Sequence, residues 1–311
     1  MTATTRFERQ DWVYVENGQV NNSYTGVRQN DNGWWRVEAG KVNFGYNGLA
    51  ENEYGWWVIK DGNVDFDCNG LIEDEKGWFY IKDGMVDWSY TGLASNEAGW
   101  FYVKNGTIDW NYTGLAENEA GWFYVKDGVI DWDYTGLAEN GAGWFYVNDG
   151  IIDWNYTGLY ESESVWFYIN SGIIDWGYSG VAENESGWWK CSGGTIDYNY
   201  TGLVDNGDEV WMISSGKADF DYNGYVSNAN GTFYVEAGKV NTNANGVMSK
   251  DDALVYVKNG QVRYDYTGMA EYNGQRVYIN NGVVDYTYTG LASDEAGTWK
   301  MKDGIADTEY S

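Results

Sequence analysis

One alternation of apolar and polar positions recurs along this chain, and residues 121–142 show it most clearly: G-W-F-Y-V-K-D-G-V-I-D-W-D-Y-T-G-L-A-E-N-G-A. Residues 122–126 are aromatic and β-branched, which predicts a strand. Asp127-Gly128 is the two-residue signal of a type I′ hairpin turn. Asn-Gly or Asp-Gly recurs there at Asn17, Asp61, Asp83, Asn105, Asp149, Asn259, Asn281 and Asp303. Residues 129–134 read as the return strand. Thr135-Gly136 reads as a second turn with positive φ at the glycine. Residues 137–138 read as a short apolar segment, and 139–142 as a polar loop leading to the next tryptophan.

A two-residue turn sets the register of its hairpin. Lys126 then faces Val129, Val125 faces Ile130, Tyr124 faces Asp131, Phe123 faces Trp132 and Trp122 faces Asp133. Side chains alternate between faces. Phe123, Val125, Ile130, Trp132 and Tyr134 therefore share one face, which must be packed. Trp122, Tyr124, Asp131 and Asp133 share the other, where aromatic walls stand beside carboxylates.

The turn glycine falls at Gly18 and every 22 residues thereafter to Gly304, with a second glycine eight residues on, from Gly26 to Gly290. Such a beat belongs to a tandem array of one supersecondary unit, which buries its apolar face only against its neighbours. A lone hairpin is marginal in water, and stacking buries the aromatic side chains between units. The expectation is an all-β, elongated solenoid of stacked β-hairpins, about fourteen repeats of 22 residues, forming one domain over residues 11–311. A propeller with two repeats per blade is the rival, and the lack of alternation between odd and even repeats counts against it. Residues 1–10 break the pattern and are expected to cap the first repeat or to be an expression start. Ending in mid-motif at Tyr310-Ser311 points to a fragment of a longer chain.

Composition narrows the function. The 19 Trp, 28 Tyr and 10 Phe residues supply ample surface to bury and exclude disorder. A formal charge of −28 repels nucleic acid and anionic lipid and favours cationic or neutral partners. Histidine is absent, which removes the commonest general base and metal ligand. Proline is absent too, as suits a chain dominated by ladder hydrogen bonds. Cys68 and Cys191 lie far apart in the array and read as lone substitutions. The N-terminus carries no apolar leader, and no run approaches the length of a membrane span.

Two tryptophan classes behave differently from the scaffold. The leading Trp stands at Trp12, Trp34, Trp56, Trp78, Trp100, Trp122, Trp144, Trp166 and Trp188, then gives way to Val210, Thr232, Leu254, Arg276 and Thr298. The second-strand Trp is confined to Trp88, Trp110, Trp132, Trp154 and Trp176, whereas the frame of Gly, Val or Ile, and Tyr continues. The first nine repeats are therefore expected to carry ligand sites. The candidate aromatic clusters are Trp78, Tyr80, Trp88 and Tyr90; Trp100, Tyr102, Trp110 and Tyr112; Trp122, Tyr124, Trp132 and Tyr134; Trp144, Tyr146, Trp154 and Tyr156; and Trp166, Tyr168 and Trp176. Their polar partners are Asp87, Asp109, Asp131, Asp153 and Asp175. Sugars stack their apolar faces on such rings, and carboxylates accept their hydroxyls. Weak sites repeated on one array add by avidity. A stalk or adhesin spacer, with every indole packed, is the alternative.

Asp131-x-Asp133 would offer calcium two carboxylates, but Asn111, Ser89 and Gly177 interrupt that pattern. No metal and no cofactor is expected. The acids recur in nearly every repeat where a catalytic centre should be singular, and there is no Ser-His, Cys-His or phosphate-loop constellation. The segment does not read as an enzyme.

The order Gly-Trp, aromatic strand, D-G or N-G turn, apolar return strand and T-G resembles the cell-wall-binding repeats of Gram-positive surface proteins. That group includes choline-binding modules, glucan-binding modules and the repetitive tails of large clostridial toxins. The resemblance covers residues 11–311 and is especially close to a variant frequent in tandem on surface proteins of gut Firmicutes. It implies an extracellular or cell-surface module that attaches to a cell-wall polymer, a glycan or a choline-like cation, with a protein receptor as a further partner. It implies no nucleic acid and no membrane insertion. It also implies sites between consecutive hairpins, where aromatic rings cage a quaternary ammonium. The matching positions are Trp100, Trp110 and Tyr112 with Trp122. The chain departs from the choline-binding pattern in its D-W-D-Y segment and its regular aspartate.

Overall fold

The computed structural model describes residues 12–309. The expectations for residues 1–10 and for the C-terminal Tyr310-Ser311 lie outside the described residues. The chain divides into two compact units, residues 1–155 and 156–311. Each is an all-β solenoid built from the same three-stranded repeat.

One repeat of the first unit comprises β1 (Gly114–Asn118), β2 (Gly121–Lys126) and β3 (Val129–Ile130), and the next comprises β4 (Gly136–Asn140), β5 (Gly143–Asn148) and β6 (Ile151–Ile152). β1 and β2 form the longer hairpin, paired from Gly114↔Val125 to Asn118↔Gly121. β3 returns on β2 through Val125↔Ile130 and Lys126↔Val129. β2 then binds the following repeat: Phe123 pairs with Ile151 of β6, and the Tyr124 N–H donates to the Gly150 carbonyl at 2.9 Å. The second unit repeats the lacing, as at Phe167↔Thr195 and Trp211↔Lys239. Backbone hydrogen bonds as well as side chains thus join consecutive repeats.

The type I′ turn and its register are as the sequence reads, with φ of +50° at Asp127 and +78° at Gly128. The expected return strand is too long. It ends at Ile130, because the Asp131 side chain takes over the backbone. Asp131 Oδ1 accepts the Asp133 N–H at 3.1 Å, and the Tyr134 N–H closes a β-turn on the Asp131 carbonyl at 3.3 Å. Phe123 therefore pairs with Ala116 and Ile151 instead of Trp132, and Trp122 pairs with Glu117 instead of Asp133. Tyr124 meets Asp131 through one hydrogen bond only, from the Asp131 N–H to the Tyr124 carbonyl at 3.0 Å. The segment read as turn, apolar pair and loop is a strand with a tight turn. Gly136 is not in the positive-φ region, although Gly92 and Gly114 are, at +152° and +149°.

The 22-residue glycine beat has a steric cause. A Cβ on Gly128 would lie 2.7 Å from the Asp109 carbonyl oxygen and 2.9 Å from Trp110 Cα of the preceding repeat. The same contact brings the Gly128 N–H to the Tyr112 carbonyl at 2.9 Å. Beside it, Thr113 Oγ1 accepts the Asp127 N–H at 3.2 Å; where asparagine replaces this threonine, Asn47 and Asn69 Oδ1 serve Asp61 and Asp83 at 2.9 Å.

The core is a series of small clusters, each shared by two or more repeats. Leu115, Ala138, Phe145, Val147 and Ile152 are buried together, and Trp122, Tyr124 and Tyr134 pack against them. One aliphatic position per repeat is sealed from solvent: Ile59, Ile81, Val103, Val125 and Val147 in the first unit, and Ile169, Ile213, Val235, Val257, Ile279 and Met301 in the second. Cys191 fills this slot in its own repeat, and burial pushes its thiol up to about 11. Cys68 is half-buried in a tyrosine slot, and both thiols are free.

Candidate aromatic binding sites

The two tryptophan classes occupy different places. Trp88, Trp110, Trp132, Trp154 and Trp176 sit on the turn after the third strand and are 46–53% exposed. This corrects the expectation that Trp132 shares a packed face with Phe123. Trp132 stands edge-on to Phe123, with centroids 5.7 Å apart and planes at 78°, and Trp88 does the same on Phe79 at 5.9 Å and 84°. One ring surface is therefore supported and the remainder faces water. The same turn position holds exposed Phe44 and Phe66 in the first unit and Tyr198, Phe220, Tyr264 and Tyr286 in the second. Tracking tryptophan alone missed these six. The signal was the 22-residue spacing of any aromatic ring.

The leading tryptophans Trp78, Trp100, Trp122 and Trp166 are half-buried, and Trp144 is exposed. They lie along the seam with the next repeat. Trp78 stacks on Phe101 at 6.2 Å and 15°, and Trp100 packs on the cluster of Leu93, Ala116 and Phe123. A groove opens beside Trp100, lined by Tyr90, Leu93, Glu117, Asn118, Glu119 and Ala120. It combines an indole, a phenol ring and two carboxylates. At the corresponding place beside Trp56 stands Lys76, its Nζ 3.7 Å from the ring centroid. Beside Trp34 stands Tyr54, edge-on at 6.0 Å. From Trp78 to Trp122 the matching residues are Ala98, Ala120 and Ala142, which carry no such group.

The tyrosines are engaged structurally. Tyr80 and Tyr90, Tyr102 and Tyr112, and Tyr124 and Tyr134 stack with centroids 3.6–3.7 Å apart, and Tyr168 stacks on Tyr178 at 3.5 Å. The second tyrosine's hydroxyl donates to a carbonyl three residues on: Tyr90 to Leu93 at 2.7 Å, Tyr112 to Leu115 at 2.6 Å and Tyr156 to Leu159 at 2.7 Å. Tyr146 is buried. Where the first partner is basic, a cation replaces the ring: Arg36 lies 4.8 Å from the Tyr46 centroid, and Lys190 lies 5.8 Å from that of Tyr200.

Burial raises the phenols of Tyr90, Tyr112 and Tyr178, with a second contribution from each stacked partner, and Tyr178 reaches about 12. A folded value above the ordinary 10.0 means that the stability Tyr178 contributes is complete below pH 10 and is lost as pH rises toward about 12. Alkaline titration should therefore show phenolate absorbance and loss of β-sheet circular dichroism rising together across that interval. Full phenolate formation with the sheet signal intact would contradict this.

The aspartates predicted as polar partners are half-buried and face inward with one oxygen. Oδ1 of Asp87, Asp109, Asp131, Asp153 and Asp175 accepts the N–H two residues on at 2.9–3.1 Å. The Ser89 hydroxyl also donates to Asp87 and is the main cause of its carboxyl lying below the usual range. One oxygen of each is thus committed to the turn. The structure brings Trp100 and Tyr112 to one cluster and Trp122 to the next. Trp110 does not join them, because its ring contact is with Phe101 of its own repeat. Among the described residues, no group of three acidic or cysteine side chains gathers as a metal site. Among the described residues, no helix is long and apolar enough to cross a membrane.

A model of the choline-binding repeat matches residues 11–21, 23–43, 45–65, 68–87, 89–109, 111–131, 133–153, 155–175, 177–197, 221–241 and 265–285. No curated protein matches the chain. Among solved structures, CbpJ from Streptococcus pneumoniae is 17% identical over 96% of this chain and 100% of that one, with a TM-score of 0.25. Choline-binding protein F of the same organism, solved in the presence of a peptidoglycan analogue, is 16% identical over 96% and 99%, with a TM-score of 0.24. The modular autolysin LytC, also pneumococcal, is 14% identical over 79% of this chain and 54% of its own, with a TM-score of 0.30. The chain thus spans about half of LytC.

Proposed function

The chain belongs to the choline-binding repeat family, a family of binding modules, and from that premise we propose that it is a non-catalytic, multivalent module of a bacterial surface or secreted protein. In this reading it holds choline-type cations of a cell-wall polymer in the seams beside its leading tryptophans. The observation that carries the reading is Lys76 over Trp56: an ammonium already rests 3.7 Å from the centroid of a leading indole. Cation–π attraction of this kind contributes about 0.5–2 kcal/mol per contact. Beside Trp100 the lysine is replaced by Ala120, which leaves the indole, Tyr90, Glu117 and Glu119 to a cation from outside. Many weak sites on one chain then add by avidity.

Choline titration followed by calorimetry and tryptophan fluorescence tests this. Saturable binding at several sites is expected, and Trp100→Ala should remove one. Lys76→Ala should add one, at Trp56, because it withdraws the internal occupant. Absence of heat and of fluorescence change with choline and with choline-bearing wall fragments would reject the reading. The stalk alternative would then stand, favoured by the structural engagement of the tyrosines and aspartates.

A further inference from the structure

We infer that Asn17, Asn140 and Asn273 are sites of spontaneous covalent modification, where the side-chain amide is converted to aspartate and isoaspartate. The Asn-Gly pair recurs along the array well beyond the hairpin turns, as at Asn47, Asn69, Asn223 and Asn245. Asparagine is thermolabile, and a glycine after it leaves the next backbone nitrogen unshielded. That nitrogen attacks the asparagine Cγ and gives its proton to water. The Cγ–Nδ2 bond breaks, ammonia leaves and a five-membered succinimide remains. Water then opens the ring. Cleavage of the new Cγ–N bond gives aspartate, and cleavage of the original peptide C–N bond gives isoaspartate, whose backbone is one carbon longer. One water is consumed and one ammonia released per residue, with no oxidant, reductant or cofactor.

The reaction needs a free glycine nitrogen and a free amide, and most of the pairs offer only one or neither. In the stacked turns the nitrogen is taken: the N–H groups of Gly106, Gly260 and Gly282 donate to the Tyr90, Ala244 and Tyr266 carbonyls of the preceding repeat at 3.0, 2.9 and 2.8 Å. At Asn47, Asn69, Asn223 and Asn245 the amide is taken. Each Oδ1 accepts an N–H fourteen residues on at 2.9 Å, and each Nδ2 donates to the carbonyl two residues back at 2.9–3.3 Å. The Gly207 N–H donates to Asp205 Oδ1 at 2.9 Å. Gly33 and Gly231 enter the strand ladder opposite Asn30 and Asn228.

Gly18, Gly141 and Gly274 lie outside this protection. They are exposed turn residues; among the described residues their N–H groups meet no acceptor, and even an added Cβ would touch nothing within 4 Å. Asn17 and Asn273 are exposed as well, and Asn140 uses only its Oδ1, which accepts the Ala142 N–H at 2.8 Å. A matched comparison carries the inference. Asn17-Gly18-Gln19, Asn259-Gly260-Gln261 and Asn273-Gly274-Gln275 share one sequence and one turn geometry, with φ of +51° at each asparagine and +77° to +79° at each glycine. Packing alone separates them: only Gly260 is pressed against the preceding repeat, its added Cβ falling 2.6 Å from the Asn241 carbonyl oxygen. A guarded bond reacts only through local opening. The aspartate product fits these turns, since Asp127 holds φ +50° in an equivalent one. The isoaspartate product lengthens the two-residue turn between Tyr272 and Gln275, beside Arg276 and its 2.8 Å bond to Asp294.

Ageing the full chain in heavy-oxygen water at mildly alkaline pH, followed by peptide mapping in a mass spectrometer, tests the inference. Hydrolysis during ageing is the step that fixes the heavy oxygen in the side chain or the new carboxyl. Label is expected at Asn17, Asn140 and Asn273, and at Asn259 at least about tenfold more slowly than at Asn273. The urea-unfolded chain should label Asn259 and Asn273 at similar rates. Equal rates in the folded chain, a difference that persists in urea, or an absence of label at Asn17, Asn140 or Asn273 would each overturn the assignment. The labelled Asn273 peptide should also accept a methyl group from an isoaspartyl methyltransferase, and failure to do so refutes the succinimide route. Neither readout involves choline, so this inference and the proposed function fail separately.

Discussion

Replacing Gly128 by alanine should destabilise the first unit by about 3 kcal/mol, at the upper end of ordinary single substitutions. Two costs combine. The type I′ position at φ +78° is unfavourable for an L-residue by roughly 1–2 kcal/mol. The new Cβ would also lie 2.7 Å from the Asp109 carbonyl oxygen and 2.9 Å from Trp110 Cα, and backbone has no rotamer with which to withdraw. Relief requires separating two repeats, which strains the Tyr112–Gly128 hydrogen bond and the Phe101↔Val129 pairing together. Gly141→Ala is the control. Its Cβ meets nothing within 4 Å and its φ is not positive, so the thermal midpoint should stay level or rise slightly. Equal losses in the two variants would refute the steric account of the beat.

Phe123→Ala should be the most damaging side-chain truncation in its repeat, at about 3–5 kcal/mol for a buried aromatic. Phe123 is 7% exposed, lies among Leu93, Ala116, Val125 and Ile130, and supports the edge of Trp132. Trp132→Ala removes a larger side chain yet should cost only about 1 kcal/mol, because nearly half the ring is already in water and chiefly the edge contact is lost. Denaturant midpoints of the two variants give the comparison. A Trp132 variant as unstable as the Phe123 variant would make the turn aromatic a core residue.

The parts of the fold legible in the sequence are those specified by local chemistry. Asp127-Gly128 could only be a tight turn with two positive φ values, and from it the pairs Val125↔Ile130 and Lys126↔Val129 follow. The spacing of glycine showed that repeats must stack. The extent of the strands was not legible, because two aspects of the sequence compete at Asp131. The β-forming Trp132 favours extension, while the carboxylate offers the backbone a turn, and the turn wins because Gly150 of the next repeat packs on it. The β1–β2 hairpin was hidden in G-L-A-E-N. Its signal was Asn118, whose Oδ1 accepts the Ala120 N–H at 2.8 Å. The same turn explains why Trp132 is exposed: it carries the indole off the strand and leaves it standing edge-on against Phe123.

The pairing of each central strand with the third strand of its successor makes the joint between repeats the same backbone motif at Phe101↔Val129 and Phe123↔Ile151. A copy inserted by duplication of whole coding units would find matching donors and acceptors above and below it. A slip of one residue would find neither. The number of such repeats can therefore change without a new interface being needed.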